Sequence, residues 1–332
     1  DGRMLFSSYH FSELALIGSL ALLLNLLLGG PGTLYAPVAF LHPIRLWERL
    51  LRVSAEKLNR FRRSEGTRRM RGLLLMLLVI IGAAWLGKWL ATLFLLPGGE
   101  YAEIVLLALL LASRPLFDVS IQVSRLLKHP KEGWVTSQIL TARLMRRQMK
   151  DYDVPTVLRG TIEAMMLGLS ESVVAPLFYY LLAGWPGVLV VAAVTAADRM
   201  IGYRNAQYVH FGRAAAVLHT LLQWIPARIT GLLLCVASAF APGCSPLSSL
   251  RVMWMQAGKT ISNNSGWVIG AAAGALKITL GGPRAMLGSY IADQWIGEGK
   301  ARVDERSLKA AQALFLVTHL LLVMGFLLAA AA

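Results

Sequence analysis

Six stretches of this chain, 14–28, 73–96, 104–123, 173–197, 225–241 and 308–332, are almost free of charge. A helix needs roughly 20 such residues to cross the hydrocarbon core of a bilayer. No other feature restricts the fold as tightly. The segment 173–197 divides into two passes if Gly184-Trp185-Pro186-Gly187 breaks it, and 266–280 is shorter and rich in Gly and Ala. Small residues let backbones approach, so that stretch reads as a tightly packed helix or a re-entrant element. The composition agrees: 56% of the 332 residues are hydrophobic, 15% are charged, and the mean hydropathy is +0.57. The expected architecture is all-α, a polytopic integral membrane helical bundle with amphipathic cytoplasmic helices, forming one domain over 1–332.

The net charge of +15 is concentrated in two segments. Residues 45–71 hold ten Lys or Arg against three Glu, and 125–150 hold seven against one Glu. Short basic loops stay cytoplasmic, so the basic segments at 44–72 and 124–160 are expected inside, with 7–13 and 97–101 outside. In the first of them Leu46, Trp47, Leu50, Leu51, Val53, Leu58 and Phe61 fall roughly on one helical face, which predicts an interfacial helix. No reader motif accompanies the positive charge, and nucleic acid is not an expected partner. The first apolar run lacks a strong basic start and a small-x-small site, so it reads as a span and not a secretory signal.

Cys235 and Cys244 form no framework, and the histidines lack metal spacing, so neither a disulfide nor a zinc or haem site is expected. Gly258-Lys259-Thr260 ends like a phosphate-binding loop, but Met253 stands where its first glycine belongs. Val154-Pro155-Thr156 opens a helix that places Arg159 and Glu163 one turn apart on a shared face, as an ion pair or as functional groups. Charge beside bilayer-length segments is costly and ordinarily has a partner or a task. That marks Glu163, Glu171 and Asp198 as inward-facing candidates, with Glu298 near the carboxyl end, and Arg199 lies beside Asp198 at the end of a predicted span. Asp198 is a candidate for an amine or Mg²⁺ and Arg199 for a phosphate. Tyr203 is read as an interfacial aromatic beside them. His42 and Arg45 follow a Gly/Pro-rich turn and suit an anion, Arg228 follows a Pro at the start of a span, and Ser262-Asn263-Asn264 reads as a cap or a binding turn.

The order of short motifs resembles the CbiB/CobD family. It runs through His42-Pro43-Ile44-Arg45-Leu46-Trp47, Leu111-Ala112-Ser113-Arg114, Glu163, Ala175-Pro176-Leu177-Phe178 and Asp198-Arg199-Met200-Ile201-Gly202-Tyr203. It continues with Pro226-Ala227-Arg228, Ser262-Asn263-Asn264-Ser265-Gly266, Gly274-Ala275-Leu276, Leu280-Gly281-Gly282-Pro283 and Trp295-Ile296-Gly297.

The resemblance implies a bacterial inner-membrane protein of cobalamin biosynthesis. Its reaction would join the carboxylate of adenosylcobyric acid to aminopropanol or its phosphate, with ATP and Mg²⁺. It further implies Glu163, Asp198 and Glu171 as catalytic, the first two also holding Mg²⁺. His42, Arg45, Arg159, Arg199, Tyr203, Arg228, Ser262 and Asn264 are implied as substrate contacts. The expected partners are the bilayer, a corrinoid, and either a membrane protein or a second copy of the chain. Several acidic positions of the family pattern are nevertheless replaced. Asn25 and Gly30 stand in an Asp-x-x-x-Gly-Asp-Pro pattern, Leu167-Gly168 where Glu-Asn and then Asp are usual, His219-Thr220 before Pro-Ala-Arg for Asp-Asp, and Ile269 for a Glu. These losses leave a second expectation, a catalytically silent member acting as a regulatory or assembly subunit.

Overall fold

The computed structural model describes residues 10–28, 43–128, 133–145, 153–203, 205–260, 262–286 and 289–332. In chain order the helices are α1 (Phe11–Leu28), α2 (Pro43–Leu58), α3 (Glu65–Leu93), α4 (Gly99–Leu110), α5 (Ser113–Leu126), α6 (Gly133–Met145) and α7 (Val154–Leu169). A π-helical turn, Ser170–Val174, leads into α8 (Ala175–Ile201), followed by α9 (Arg213–Leu222), α10 (Trp224–Ala237), α11 (Pro246–Gln256), α12 (Asn263–Leu276) and α13 (Glu305–Ala331). The all-α expectation holds. The described strands are four short pieces, β1 (Leu280–Gly281) paired antiparallel with β4 (Trp295–Ile296), and β2 (Arg284–Met286) paired with β3 (Ser289–Ile291).

Among the described residues Glu65–Leu93, Gly99–Leu126, Val154–Ile201 and Glu305–Ala331 are long and apolar enough to cross a membrane, and α9 with α10 would make a fifth. α1 starts ahead of its expected run 14–28 and still counts among the shorter apolar helices. Another expected span is shorter than its sequence suggested. The run 225–241 stops being helical after Ala237, where turn hydrogen bonds and a left-handed Gly243 (φ 76°) take over. Conversely, α3 begins well before its apolar run. The Ser64 hydroxyl accepts from Thr67 N and carries the helix through the charged stretch from Glu65 to Arg71.

The chain forms two compact units. The first takes the described part of Asp1–Leu111 with Ala175–Gln223 and Gly325–Ala332. Its packing depends on α3 lying directly against its neighbours. A Cβ on Gly72 would strike the Phe211 carbonyl, and one on Gly87 would sit 2.6 Å from the backbone of Pro186. Close backbone approach of this kind selects glycine. The break foreseen at Gly184-Trp185-Pro186-Gly187 is present: Gly184 adopts φ 59°, ψ −147° inside α8, a conformation reserved for glycine. α2 divides its apolar residues. Leu51 and Ala55 are buried in the unit, while Leu50 and Val53, about half exposed, face outward. The interfacial face of the sequence reading is thus narrower than expected.

The second unit comprises Ala112–Val174 and Trp224–Met324. α12 is the tightly packed helix of the two alternatives considered for 266–280. Gly266, Gly270 and Gly274 recur every four residues on the side facing α11. A Cβ on Gly270 would meet Met253 Cα at 3.0 Å, and Cβ atoms on the other two would collide with the carbonyls of Ala257 and Ser248. At those three points α12 contributes no side chain to the contact.

Two aspartates start helices in this unit. Asp153 accepts from Thr156 N at 3.1 Å ahead of α7, and Asp304 accepts from Ser307 N at 2.8 Å ahead of α13. Both carboxyls are held below the ordinary 3.8, chiefly by the hydrogen bonds from Thr156 and Ser307 respectively. A depressed folded-state pKa means the caps stabilise above about pH 4 and lose that contribution as pH falls through the lowered values. Asp153→Ala and Asp304→Ala are each expected to cost about 1 kcal/mol at neutral pH. Thermal unfolding should show the cost shrinking in acid; unchanged melting at pH 7 would mean the caps contribute nothing.

Candidate functional site

In the second unit two of the expected residues, Arg159 and Glu163, are bonded to the segment 278–303. Glu163 is fully buried on α7, and its Oε1 accepts from Gly281 N at 2.7 Å. The turn can present that N–H because Gly281 and Gly282 both take left-handed φ, 78° and 80°. One turn earlier on α7, Arg159 donates through Nε to Thr279 O at 3.1 Å and through Nη2 to Ala301 O. Its guanidinium lies 4.7 Å from the Trp295 ring centre. Arg159 and Glu163 thus share a face as expected, and both are bonded to the same returning segment.

Gln256, a neutral residue that sequence reasoning passed over, adds a further attachment. Its Oε1 accepts from Gly297 N at 3.0 Å and from Lys259 Nζ at 3.2 Å, while its Nε2 donates to Glu298 Oε1 at 3.3 Å. Arg251 Nη2 stands 3.9 Å from Glu298 Oε2. Both of those side chains are more than half exposed, so the pair adds little stability and leaves a charged rim available to an anionic or cationic group. The result is a segment fastened from below by buried polar groups and bordered by Lys259, Arg251 and Glu298.

Arg228 and Asn264 meet elsewhere in this unit. Arg228 Nη1 donates to Trp224 O at 2.6 Å and, at a long 3.5 Å, to Asn264 Oδ1. Ser262 is the exposed N-cap of α12 and makes no side-chain capping bond. Glu171 lies half-buried in the π-helical turn, a form that often marks functional positions.

In the first unit Asp198, Arg199 and Tyr203 sit half-buried at and just beyond the end of α8. Asp198 Oδ2 is 3.3 Å from His219 Nδ1, so the imidazole that replaces an acid of the family pattern sits against the one that remains. Asn25 is engaged as well, donating through Nδ2 to Ala108 O and Leu111 O, both at 2.8 Å, at the end of α4. Another buried acid escaped the sequence reading. Glu103 on α4 is 1% exposed and accepts from Tyr180 Oη at 2.7 Å and Trp185 Nε1 at 2.8 Å. The available signal was an acid inside an apolar run, the criterion already applied to Glu163. His42 lies outside the described residues, and of Arg45 only the backbone, in the first turn of α2, is described.

Mg²⁺ asks little of a protein, often one or two carboxylates with the rest water. Among the described residues no three His, Cys, Asp or Glu side chains gather as a metal-holding set. Glu163 also directs an oxygen at a peptide N–H. Of the two acids that the resemblance implies for Mg²⁺, Glu163 belongs to the second unit and Asp198 to the first.

Comparison with known proteins gives a consistent result. The profile described as CobD/Cbib protein matches residues 19–315. A protein of Sinorhizobium sp named Cobalamin biosynthesis protein CobD is 34% identical over 305 residues, covering 90% of this chain and 93% of the relative. Namesakes from Rhizobium meliloti (strain 1021) and Geobacter metallireducens are each 33% identical, each match covering 92% of this chain and 93% of the relative. No solved structure matches.

Proposed function

The chain belongs to the CobD/CbiB family, and from that premise we propose that it serves cobalamin biosynthesis in the membrane by forming an amide on a corrinoid acid. The match over residues 19–315 is the observation that carries this reading. The proposed substrates are adenosylcobyric acid and aminopropanol or its phosphate, with ATP and Mg²⁺ as proposed co-reactants and the bacterial inner membrane as the proposed setting.

Amide formation needs the acid and the amine held in register while water is excluded. The segment 278–303 is the proposed substrate-contacting element. Glu163 positions its Gly281 turn, Arg159 and Gln256 hold its two sides, and Lys259 and Arg251 offer cations to anionic groups. In this reading Glu163 is a positioning residue, because its buried oxygen is bonded to backbone. No step is routed through the metal.

A second reading is favoured by specific contacts. Asn25 is wired as a helix cap and His219 faces Asp198, where the family pattern has acids at 25 and 219. Those contacts support a silent family member that retains the scaffold as a regulatory or assembly subunit. The two readings separate in one assay: purified protein with adenosylcobyric acid, aminopropanol phosphate, ATP and Mg²⁺, beside an active family member. The enzyme reading expects product, and an increase in KM larger than the loss in kcat for Glu163→Gln. Asp198→Asn asks separately whether the acid on α8 takes part, with at least a tenfold loss expected. A folded wild type that makes no product beside an active control leaves the subunit reading standing.

A further inference from the structure

Arg228 is held differently from the other candidate cations. Its guanidinium carbon lies 3.9 Å from the Trp224 ring centre and 4.9 Å from that of Trp267. Only Nη1 is bonded, to Trp224 O and Asn264 Oδ1; among the described residues Nε and Nη2 have no hydrogen-bond partner and no carboxylate pairs with the group. A guanidinium held close to two indole rings has little rotamer freedom left to lose, which suits two-pronged capture of a phosphate. Asn264 in the first turn of α12 touches the same group, and the N-terminal end of a helix favours negative charge.

The aromatic row continues onto an apolar surface. Trp254 meets Trp267 edge-on at 5.6 Å, and beside the exposed Arg251 the outward face of α11 carries Trp254, Leu247, Leu250 and Met255. Their exposures are 71%, 82%, 46% and 68% in that order. The opposite face, Ser249, Val252, Met253 and Gln256, is buried. No described residue covers the outward face. α11 has 11 residues, a rise of about 16 Å.

We propose that this surface binds one anionic phospholipid, its phosphate on the Arg228 fork between Trp224 and Trp267 and an acyl chain along Leu250, Trp254 and Met255. A soluble phosphate ester would use the fork and leave the apolar strip bare. A second copy of the chain would cover the strip and bring no phosphate to Arg228. The lipid satisfies both at once, and the site is independent of the reaction proposed above.

The test is retention of added lipid by the full chain purified in neutral detergent and observed by native mass spectrometry. Phosphatidylglycerol should be retained at one per chain, at least tenfold more strongly than phosphatidylcholine. Arg228→Ala should reduce that retention at least tenfold, with Arg228→Lys between the two because a point charge lacks the fork. Trp254→Ala and Leu250→Ser alter exposed positions and should each weaken retention severalfold; they decide the matter if Arg228→Ala does not fold. Equal retention of the two lipids, or no change in these variants, overturns the proposal. So does displacement of the lipid by millimolar inorganic phosphate, which would identify a soluble ligand, or dimer formation on lipid removal that the strip variants abolish.

Discussion

Asn25→Asp is expected to destabilise the first unit by about 3 kcal/mol at neutral pH. The wild-type amide is 5% exposed and uses both protons of one nitrogen, on Ala108 O and Leu111 O. Helix ends leave carbonyls without partners, and here α4 closes just before Leu111. A carboxylate has no proton to offer and would place negative charge against two carbonyl dipoles. The variant carboxyl should therefore titrate above its unfolded value. Its folded state is then intact below the unfolded pKa and loses stability as pH rises through the raised value. Thermal unfolding from pH 4 to 8 should show the deficit growing with pH. Asn25→Leu, which loses the bonds without adding charge, should cost less at pH 8 and show no such slope. A flat profile for Asn25→Asp would refute the capping role.

Glu163→Ala should cost about 2–4 kcal/mol, because it empties a buried site and strands the Gly281 N–H. Glu163→Gln keeps the volume and an acceptor oxygen, and should lose only the charge-assisted part, about 1 kcal/mol. The loss should appear locally first. Segments tied down by a few polar contacts open before the core does. Limited proteolysis of Glu163→Ala should cut within 278–303 well before the rest of the chain becomes sensitive. Equal cleavage rates in variant and wild type would mean that Glu163 does not hold the segment.

The long elements were legible because bilayer-length apolar runs admit few structures. Details inside them were less so. The break after α4 falls at Leu111 and Ala112; the only breaker in the run 104–123 is Pro115, compatible with a helix's first turn and easily passed over. The π-helical turn at Ser170–Val174 inserts a residue without changing composition, so periodicity does not reveal it. Gly184 was legible because Gly-Trp-Pro-Gly is a strong breaker. The segment 278–303 was read as a turn at Gly281-Gly282-Pro283. Its attachments to Arg159, Glu163 and Gln256 all join residues more than 40 positions apart. No local pattern encodes such partners.

The candidate site was legible in its residue types and not in their employment. Glu163 and Arg159 were correctly placed on one face, but their hydrogen bonds go to peptide groups. Arg228 was read as a binding or snorkelling cation, and its two indole neighbours come from different helices. The replaced acids gained physical meaning only from structure. Asn25 donates where an acid would repel, and His219 sets a base beside Asp198 where two acids would compete.

The glycine row on α12 also limits how this unit can move. Where two helices meet through side chains, small rotamer changes let them creep past each other. Gly266, Gly270 and Gly274 offer α11 no side chains to adjust, and the atoms nearest each are chiefly backbone. A slide of one turn, about 6 Å along the axis, would realign only two of the three. The contact therefore resists sliding: any other setting brings a side chain of α12 against the backbone of α11.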